Sequence, residues 1–417
     1  MVGRDMTERL PAKLAPSPAV LPYAVPVVCF LVAMIDGYDT LMLSFIAPLI
    51  AKEWALGAAT VGNLFASTYA GAALGAALIG IAADRFGRKS MLLAALLLAG
   101  ICTCLAARSG GPASLMWWRA VAGIGLGGAI PAITALTAAH ASPARRSVAV
   151  TRVFLGYPVG ALAGGIVTAG IMSWAGWRGV MMAGGICALL VTPLVALFVH
   201  EGAAGHSGAR AAVHSAHPLR ELVSEGRIWG TVLVCTATCL TLLVSYFLVS
   251  WTPSVLTLNG SNPQRAALMG AVLNLGGLGG AWILSSLIAR FSPSLTIASS
   301  LGAGALVIAL FGQSVAAPTA TVFLLVLAIG LLVIGAQSNI PALCVHYYPA
   351  SVYSTGVGLA MAVGRLGSIV GPLIGGRLMA ARIGWGALFL SAAVPALMAA
   401  IALAAMPLKR RESNHGL

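Results

Sequence analysis

Met34-Ile35-Asp36-Gly37-Tyr38-Asp39-Thr40-Leu41 decides how the chain is read. It sits deep inside an apolar run from about Leu21 to Ile50. A run of that length spans a hydrocarbon core of about 30 Å as a helix. The chain has ten acidic residues, and Asp36 and Asp39 are the two that fall in the interior of an apolar segment. An ionised carboxylate at bilayer depth is costly, so it is paired, hydrated or able to take a proton. Residues three apart share one face of a helix. One acid would serve to bond a neighbouring helix; two in register point to a proton site.

The rest of the composition agrees with a membrane reading. Of 417 residues, 59% are hydrophobic and 8% charged, with a mean hydropathy of +0.96. Soluble domains carry roughly a quarter charged residues. The first span is too long for a signal-peptide core and no small-residue cleavage site follows it, so no cleaved leader is expected. A net charge of +14 would suggest nucleic acid in a soluble protein. Here the distribution of charge excludes that partner. With the N-terminus in the cytoplasm, sixteen lysines and arginines fall on that side, five on the other and three inside spans. That asymmetry sets the orientation and puts both termini in the cytoplasm. The seven cysteines all lie in apolar segments, without a histidine or carboxylate at ligand spacing, so neither a metal site nor a disulfide is expected.

Twelve spans are predicted, at about 21–50, 59–83, 90–108, 113–139, 147–173, 178–199, 228–256, 266–289, 294–314, 318–347, 352–379 and 384–406. The fold class is all-α, with two related six-helix bundles at 21–199 and 228–406. Residues 1–20 and 407–417 form cytoplasmic tails. Residues 200–227 form a linker whose Gly, Ala and Ser content indicates flexibility, although it also carries four histidines. Three stretches recur in order between the halves, at offsets of 205–211 residues. They are Gly75 to Phe86 with Gly280 to Phe291, Ile130-Pro131-Ala132 with Ile340-Pro341-Ala342, and the glycines 156, 160, 164 and 165 with 367, 371, 375 and 376. A duplicated unit with a site between its halves is a common transporter plan.

Gly80-Ile-Ala-Ala-Asp84-Arg85-Phe86-Gly87-Arg88-Lys89 lies in the short turn after the second span. Here the chain resembles the major facilitator superfamily, whose signature loop follows this pattern. The resemblance implies a cytoplasmic gate formed by Asp84, Arg85, Arg88 and Lys89. Physically, Asp84 can accept from helix N-terminal amides, and the basic groups can meet acids or helix C-termini. Arg119-Ala-Val-Ala-Gly123-Ile-Gly125 resembles the fourth-span pattern of the same superfamily. Asp36 lies roughly 22 Å along the first span and Arg119 roughly 9 Å into the fourth from the opposite side, so the two sit at similar height. Arg119 can pair with Asp36 or Asp39, or extend outward to the interface.

Longer stretches narrow the resemblance. They are Asp36-Gly-Tyr-Asp39, Trp251-Thr-Pro253, Asn274-Leu-Gly276-Gly277, Gly335-Ala-Gln337-Ser338-Asn339, Tyr348-Pro349 and Gly364-Arg365-Leu-Gly367. Together they look like the aromatic acid:proton symporter family, of the 4-hydroxybenzoate and protocatechuate type. The resemblance implies a monomer in a bacterial inner membrane that needs no cofactor. It also implies proton-coupled import of a small aromatic carboxylate across the lipid bilayer by alternating access. Asp36, Asp39 and Arg119 then match coupling positions, and Arg365 matches the eleventh-span arginine. There are departures: Ala138-Ala139-His140 stands where the family has Glu and Tyr, Tyr353 where it has Arg, and Ser250 where it often has Asn.

Arg365 is the residue expected to hold a substrate carboxylate, because a guanidinium makes a two-pronged bond and the second half offers no intramembrane acid to occupy it. Arg119 is a second candidate. Tyr38, Tyr69, Tyr246, Phe247 and Trp251 are candidate aromatic walls, and Asn274, Gln337, Ser338 and Asn339 candidate partners for ring hydroxyls. Two other functions are open. One is a proton-coupled exporter of drugs or metabolites with the same fold. The other is a membrane sensor that binds aromatic acids without moving them. An enzyme would need a nucleophile–base set or metal ligands near the midplane, and no such set is found.

Overall fold

In lipid every backbone polar group must be satisfied internally, and long apolar runs do this as helices. The computed structural model describes residues 24–142, 146–199, 227–349 and 352–406. The expected tails at 1–20 and 407–417, and residues 200–226 of the expected linker, lie outside the described residues. The first half comprises α1 (Ala24–Glu53), α2 (Ala58–Phe86), α3 (Arg88–Ala106), α4 (Pro112–His140), α5 (Arg146–Phe154) and α6 (Gly156–Phe198). The second comprises α7 (Ile228–Leu258), α8 (Pro263–Ile288), α9 (Pro293–Gln313), α10 (Thr319–Ile329), a π-turn (Gly330–Ile334), α11 (Gly335–Ser338), α12 (Ile340–Tyr347), α13 (Tyr353–Ala380) and α14 (Trp385–Ala404). Proline stands in the first turn of α4, α8 and α9, where its missing N–H costs nothing.

Among the described residues, eleven helices are long and apolar enough to cross a membrane. One of these segments, Val148–Phe198, is 51 residues long. Straight, it would reach about 76 Å, more than twice the hydrocarbon core. It is not straight. Gly176 takes φ 62° and ψ −167°, a left-handed conformation that glycine adopts without a Cβ penalty. The chain reverses there. The Tyr38 ring lies against both Gly164 and Gly184, which a straight helix would hold about 30 Å apart. The turn makes two passes of one helix and brings the crossings among the described residues to twelve.

The two halves repeat one packing scheme. In the first, α1 packs on α6, α2 on α4, and α3 on α6; in the second, α7 packs on α13, α8 on α10 and the π-turn, and α9 on α14. Small residues set how closely these pairs approach. A Cβ on Gly71 would strike the carbonyl of Ala120, and one on Gly37 the carbonyl of Tyr157. The halves meet through α2 and α13, and through α6 and α8. Gly62 lies against Pro372 and Gly376, Gly165 against Ala267 and Ala271, and Gly270 against Phe45. The contacts of Gly62 and Gly270 lie toward the Glu53 end of α1, and that of Gly165 near its middle. Trp251, fully buried, packs edge-on against Phe65 across the seam, with ring centroids 5.5 Å apart.

The tenth crossing differs from the single run expected over 318–347. It widens into the π-turn and breaks at Asn339. Pro341 has no N–H for the helix ladder, and its ring excludes a regular turn before it. Ser300 Oγ donates to the carbonyl of Leu332 at 2.7 Å, which satisfies one backbone group of the widened turn.

Candidate functional site

The two aspartates of α1 have different surroundings. Asp39 faces α3 and α4. Its Oδ2 lies 2.9 Å from Arg119 Nη1, and Thr103 Oγ1 donates to its Oδ1 at 3.0 Å. Arg119 also donates to Thr103 Oγ1 and to the backbone carbonyl of Asp39, each at 3.2 Å. The Oδ2–Nη1 contact is a charge contact without hydrogen-bond alignment, so the aligned bonds of the cluster run through Thr103 and the backbone. Arg119 is wholly buried. Its Nε has no hydrogen-bond partner, so the pair depends on the charge contact and the bonds at Nη1 and Nη2, and losing either partner strands a buried charge.

Asp36, one turn earlier, faces a cavity of about 70 Å³ between the halves. Asp36, Thr40, Thr68, Tyr69 and Tyr157 enter it from the first half. Tyr246 and Arg365 enter it from the second. Ala72, Leu126, Gly127 and Ile130 complete the wall. Thr40 Oγ1 donates to Asp36 Oδ1 at 3.5 Å. Among the described residues the ion pairs within 4.0 Å are Arg119–Asp39 and Arg178–Glu53. Asp36 and Arg365 therefore share a cavity without touching. Tyr69 shares a 3.3 Å hydrogen bond with Ser250 across the seam, and its ring meets that of Tyr246 edge-on at 4.7 Å. Tyr157 is placed beside Asp36 because Gly37 lets the two backbones meet.

Of the residues expected at the site, Asp36, Arg365, Tyr69 and Tyr246 come together in this cavity. Asp39 and Arg119 form the neighbouring cluster. The others lie elsewhere. Tyr38 donates to the carbonyl of Val180 at 3.2 Å, and Trp251 Nε1 to that of Pro372 at 3.1 Å. Asn274 donates to Gly270 at 2.9 Å and Ser338 to Ile334 at 3.0 Å, each one turn back along its own helix. Gln337 is half-buried on α11 and does not line the cavity. These four expected ring-binding groups thus satisfy backbone carbonyls, as polar side chains in apolar surroundings do. Thr40, Thr68 and Tyr157 also line the cavity, and the sequence does not single them out. Tyr157 lies in the Gly156-Tyr-Pro158 stretch, which reads from sequence as helix packing alone. Its helical register beside Gly160, the residue packed on Met34 of α1, was the available signal.

At the opposite end, Asp84 lies in the last turn of α2. Gly87 takes φ 92°, a turn that favours glycine. Arg85 is exposed and stacks over Phe86, and Arg88 is half-buried. Lys89 Nζ donates to the carbonyl of Ala196 at 2.7 Å, tying the start of α3 to the end of α6.

Residues 29–372 match the Major Facilitator Superfamily. The chain belongs to this superfamily. It is 31% identical to a 4-hydroxybenzoate transporter PcaK of Acinetobacter baylyi, covering 91% of this chain and 90% of that one. It is also 31% identical to a gallate transporter of Pseudomonas putida, covering 93% and 92%. A 3-(3-hydroxy-phenyl)propionate transporter of Escherichia coli is 32% identical, covering 90% and 91%. This major facilitator therefore groups with the aromatic acid transporters, and it is a transporter rather than an enzyme. The fold is also that of the nucleoside transporter NupG, with TM-score 0.76 at 14% identity over 92% of this chain and 99% of that one. A D-xylose–proton symporter gives TM-score 0.72 at 19% identity, covering 89% and 96%.

Proposed function

We propose that this major facilitator imports an aromatic carboxylate together with a proton across the bacterial inner membrane by alternating access. One observation carries the reading: Asp36 and Arg365 enter the same cavity from opposite halves, and neither is neutralised by an ion pair. A lone charge at this depth favours a counter-charge or a proton. The substrate carboxylate supplies the first to Arg365, in a bidentate bond. A proton supplies the second to Asp36. With both bound, neither charge is left unpaired and the halves can close around them. Tyr69, Tyr157 and Tyr246 give the ring apolar faces. The names of the aromatic-acid relatives support the substrate class.

Asp39 and Arg119 act as a fixed charge pair behind the site, with Asp36 as the group that exchanges a proton. The cavity volume of about 70 Å³ is well below the roughly 300 Å³ and upward of small-molecule pockets. Loading therefore requires the halves to part. The Gly62 and Gly270 seam contacts lie toward Glu53, which the charge asymmetry places outside, so entry from that side requires this seam to open. The turn at 84–89 acts as the gate on the cytoplasmic side. The protein works as a monomer, with both termini cytoplasmic and the proton as coupling ion.

The test is uptake of radiolabelled 4-hydroxybenzoate into proteoliposomes under an imposed pH gradient, inside alkaline. Accumulation that collapses with the gradient and is lost in Arg365→Ala supports the reading. Uptake indifferent to the gradient removes the proton from it, and uptake unchanged in Arg365→Ala removes the carboxylate assignment.

A further inference from the structure

Five side-chain hydroxyls line the cavity, and they differ in what they already bond. Tyr69 is engaged with Ser250 and Thr40 with Asp36. Tyr157 and Tyr246 face the cavity from opposite halves, and neither hydroxyl is both sealed from solvent and without a partner. Thr68 is the exception. It is 2% exposed, and its Oγ1 has no hydrogen-bond partner. A threonine inside a helix ordinarily returns its hydroxyl to the carbonyl four residues back. Thr134, Thr192, Thr238, Thr257 and Thr296 all do so here. For Thr68 that carbonyl belongs to Leu64, and Ser67 Oγ already donates to it at 2.8 Å. The Thr68 hydroxyl is thereby left unspent. Other buried hydroxyls also lack partners, but among the described residues Thr68 is the one that lines the cavity. Its backbone is held firmly, since Gly123 of α4 packs directly on its carbonyl.

A buried polar group without a partner is costly, and a site holding one favours the ligand that supplies it. We infer that Thr68 is a specificity-determining residue that hydrogen-bonds a polar ring substituent of the substrate, a hydroxyl or an equivalent oxygen, while Arg365 holds the carboxylate at the other end. This rests on the function proposed above. Thr68 selects among aryl carboxylates; it does not bind the carboxylate itself. An aromatic acid with no polar substituent leaves the hydroxyl unspent and binds more weakly.

The experiment compares benzoate with 2-, 3- and 4-hydroxybenzoate on purified, full-length wild type, Thr68→Val, Thr68→Ser and Thr68→Ala by calorimetric binding. Valine has the shape of threonine without the hydroxyl. For the isomer that wild type prefers, Thr68→Val weakens binding by about three- to tenfold, while benzoate changes by less than about twofold. Thr68→Ser restores most of the preference. If the valine variant does not survive purification, Thr68→Ala makes the same comparison. An equal loss for benzoate and the hydroxybenzoate, or no loss for either, overturns the inference and leaves the proposed function standing. Failure of wild type to bind any of the four acids overturns both.

Discussion

Asp39 is held by Arg119 at 2.9 Å, whereas Asp36 of the same helix has no basic side chain within 4.0 Å and opens onto the cavity that Arg365 enters from the other half. The two first-span acids should therefore fail in different ways. Asp36→Asn imitates a permanently protonated site. It abolishes gradient-driven accumulation, while exchange of labelled for unlabelled substrate across the membrane persists. Asp39→Asn leaves Arg119 charged and unpaired in a buried cluster, at a cost of about 3–5 kcal/mol. Its signature is a fall in melting temperature and yield. A normal melting temperature for Asp39→Asn, or intact accumulation by Asp36→Asn, contradicts this division.

Arg365 should not tolerate lysine. An ammonium is a point charge and cannot make the planar, two-pronged bond to a carboxylate. Arg365→Lys is expected to bind an aromatic acid more weakly by about tenfold or more, and Arg365→Ala to show no saturable binding. Equilibrium binding on detergent-purified protein measures both, and a lysine variant with wild-type affinity would show that charge alone is read.

Tyr69 reaches from the cavity wall to Ser250 across the seam, with a shared hydrogen bond of 3.3 Å. Tyr69→Phe keeps the ring against Tyr246 and removes that bond, worth about 0.5–1.5 kcal/mol. The equilibrium should move by about two- to tenfold away from the state closed at the Glu53 end. Distances between spin labels placed on α2 and α13 near that end report the shift. An unchanged distance distribution would mean that packing alone holds the seam.

Gly37 lies against the carbonyl of Tyr157, and Gly57 has open space around it. Gly37→Ala forces α1 and α6 apart and moves both Asp36 and Tyr157. The expected cost is about 1–3 kcal/mol, with transport lost beyond what stability explains. Gly57→Ala should change the melting temperature little. Thermal unfolding of the two variants side by side decides the matter, and equal melting temperatures would remove the close approach as the cause of the site's geometry.

The amino-acid sequence by itself determined the class and the number of crossings, because lipid admits only helices long enough to span it and leaves a strong apolar signal. It also singled out Asp36, Asp39, Arg119 and Arg365, because charge at that depth is rare for energetic reasons. The tertiary structure decided how those four divide. Residues at i and i+3 differ by about 60° around a helix, and only the packing of α3 and α4 determines that Arg119 and Thr103 meet Asp39 and not Asp36. Trp251 and Asn274 look like ligand groups in a linear reading, yet each bonds a backbone carbonyl, a choice that depends on neighbours distant in the chain or one turn away. Thr68 carries no sequence mark, and Tyr157 only its helical register beside Gly160. Thr68 enters the cavity because Gly123 fixes how closely α4 lies on α2, and Tyr157 because Gly37 lets α6 close on α1.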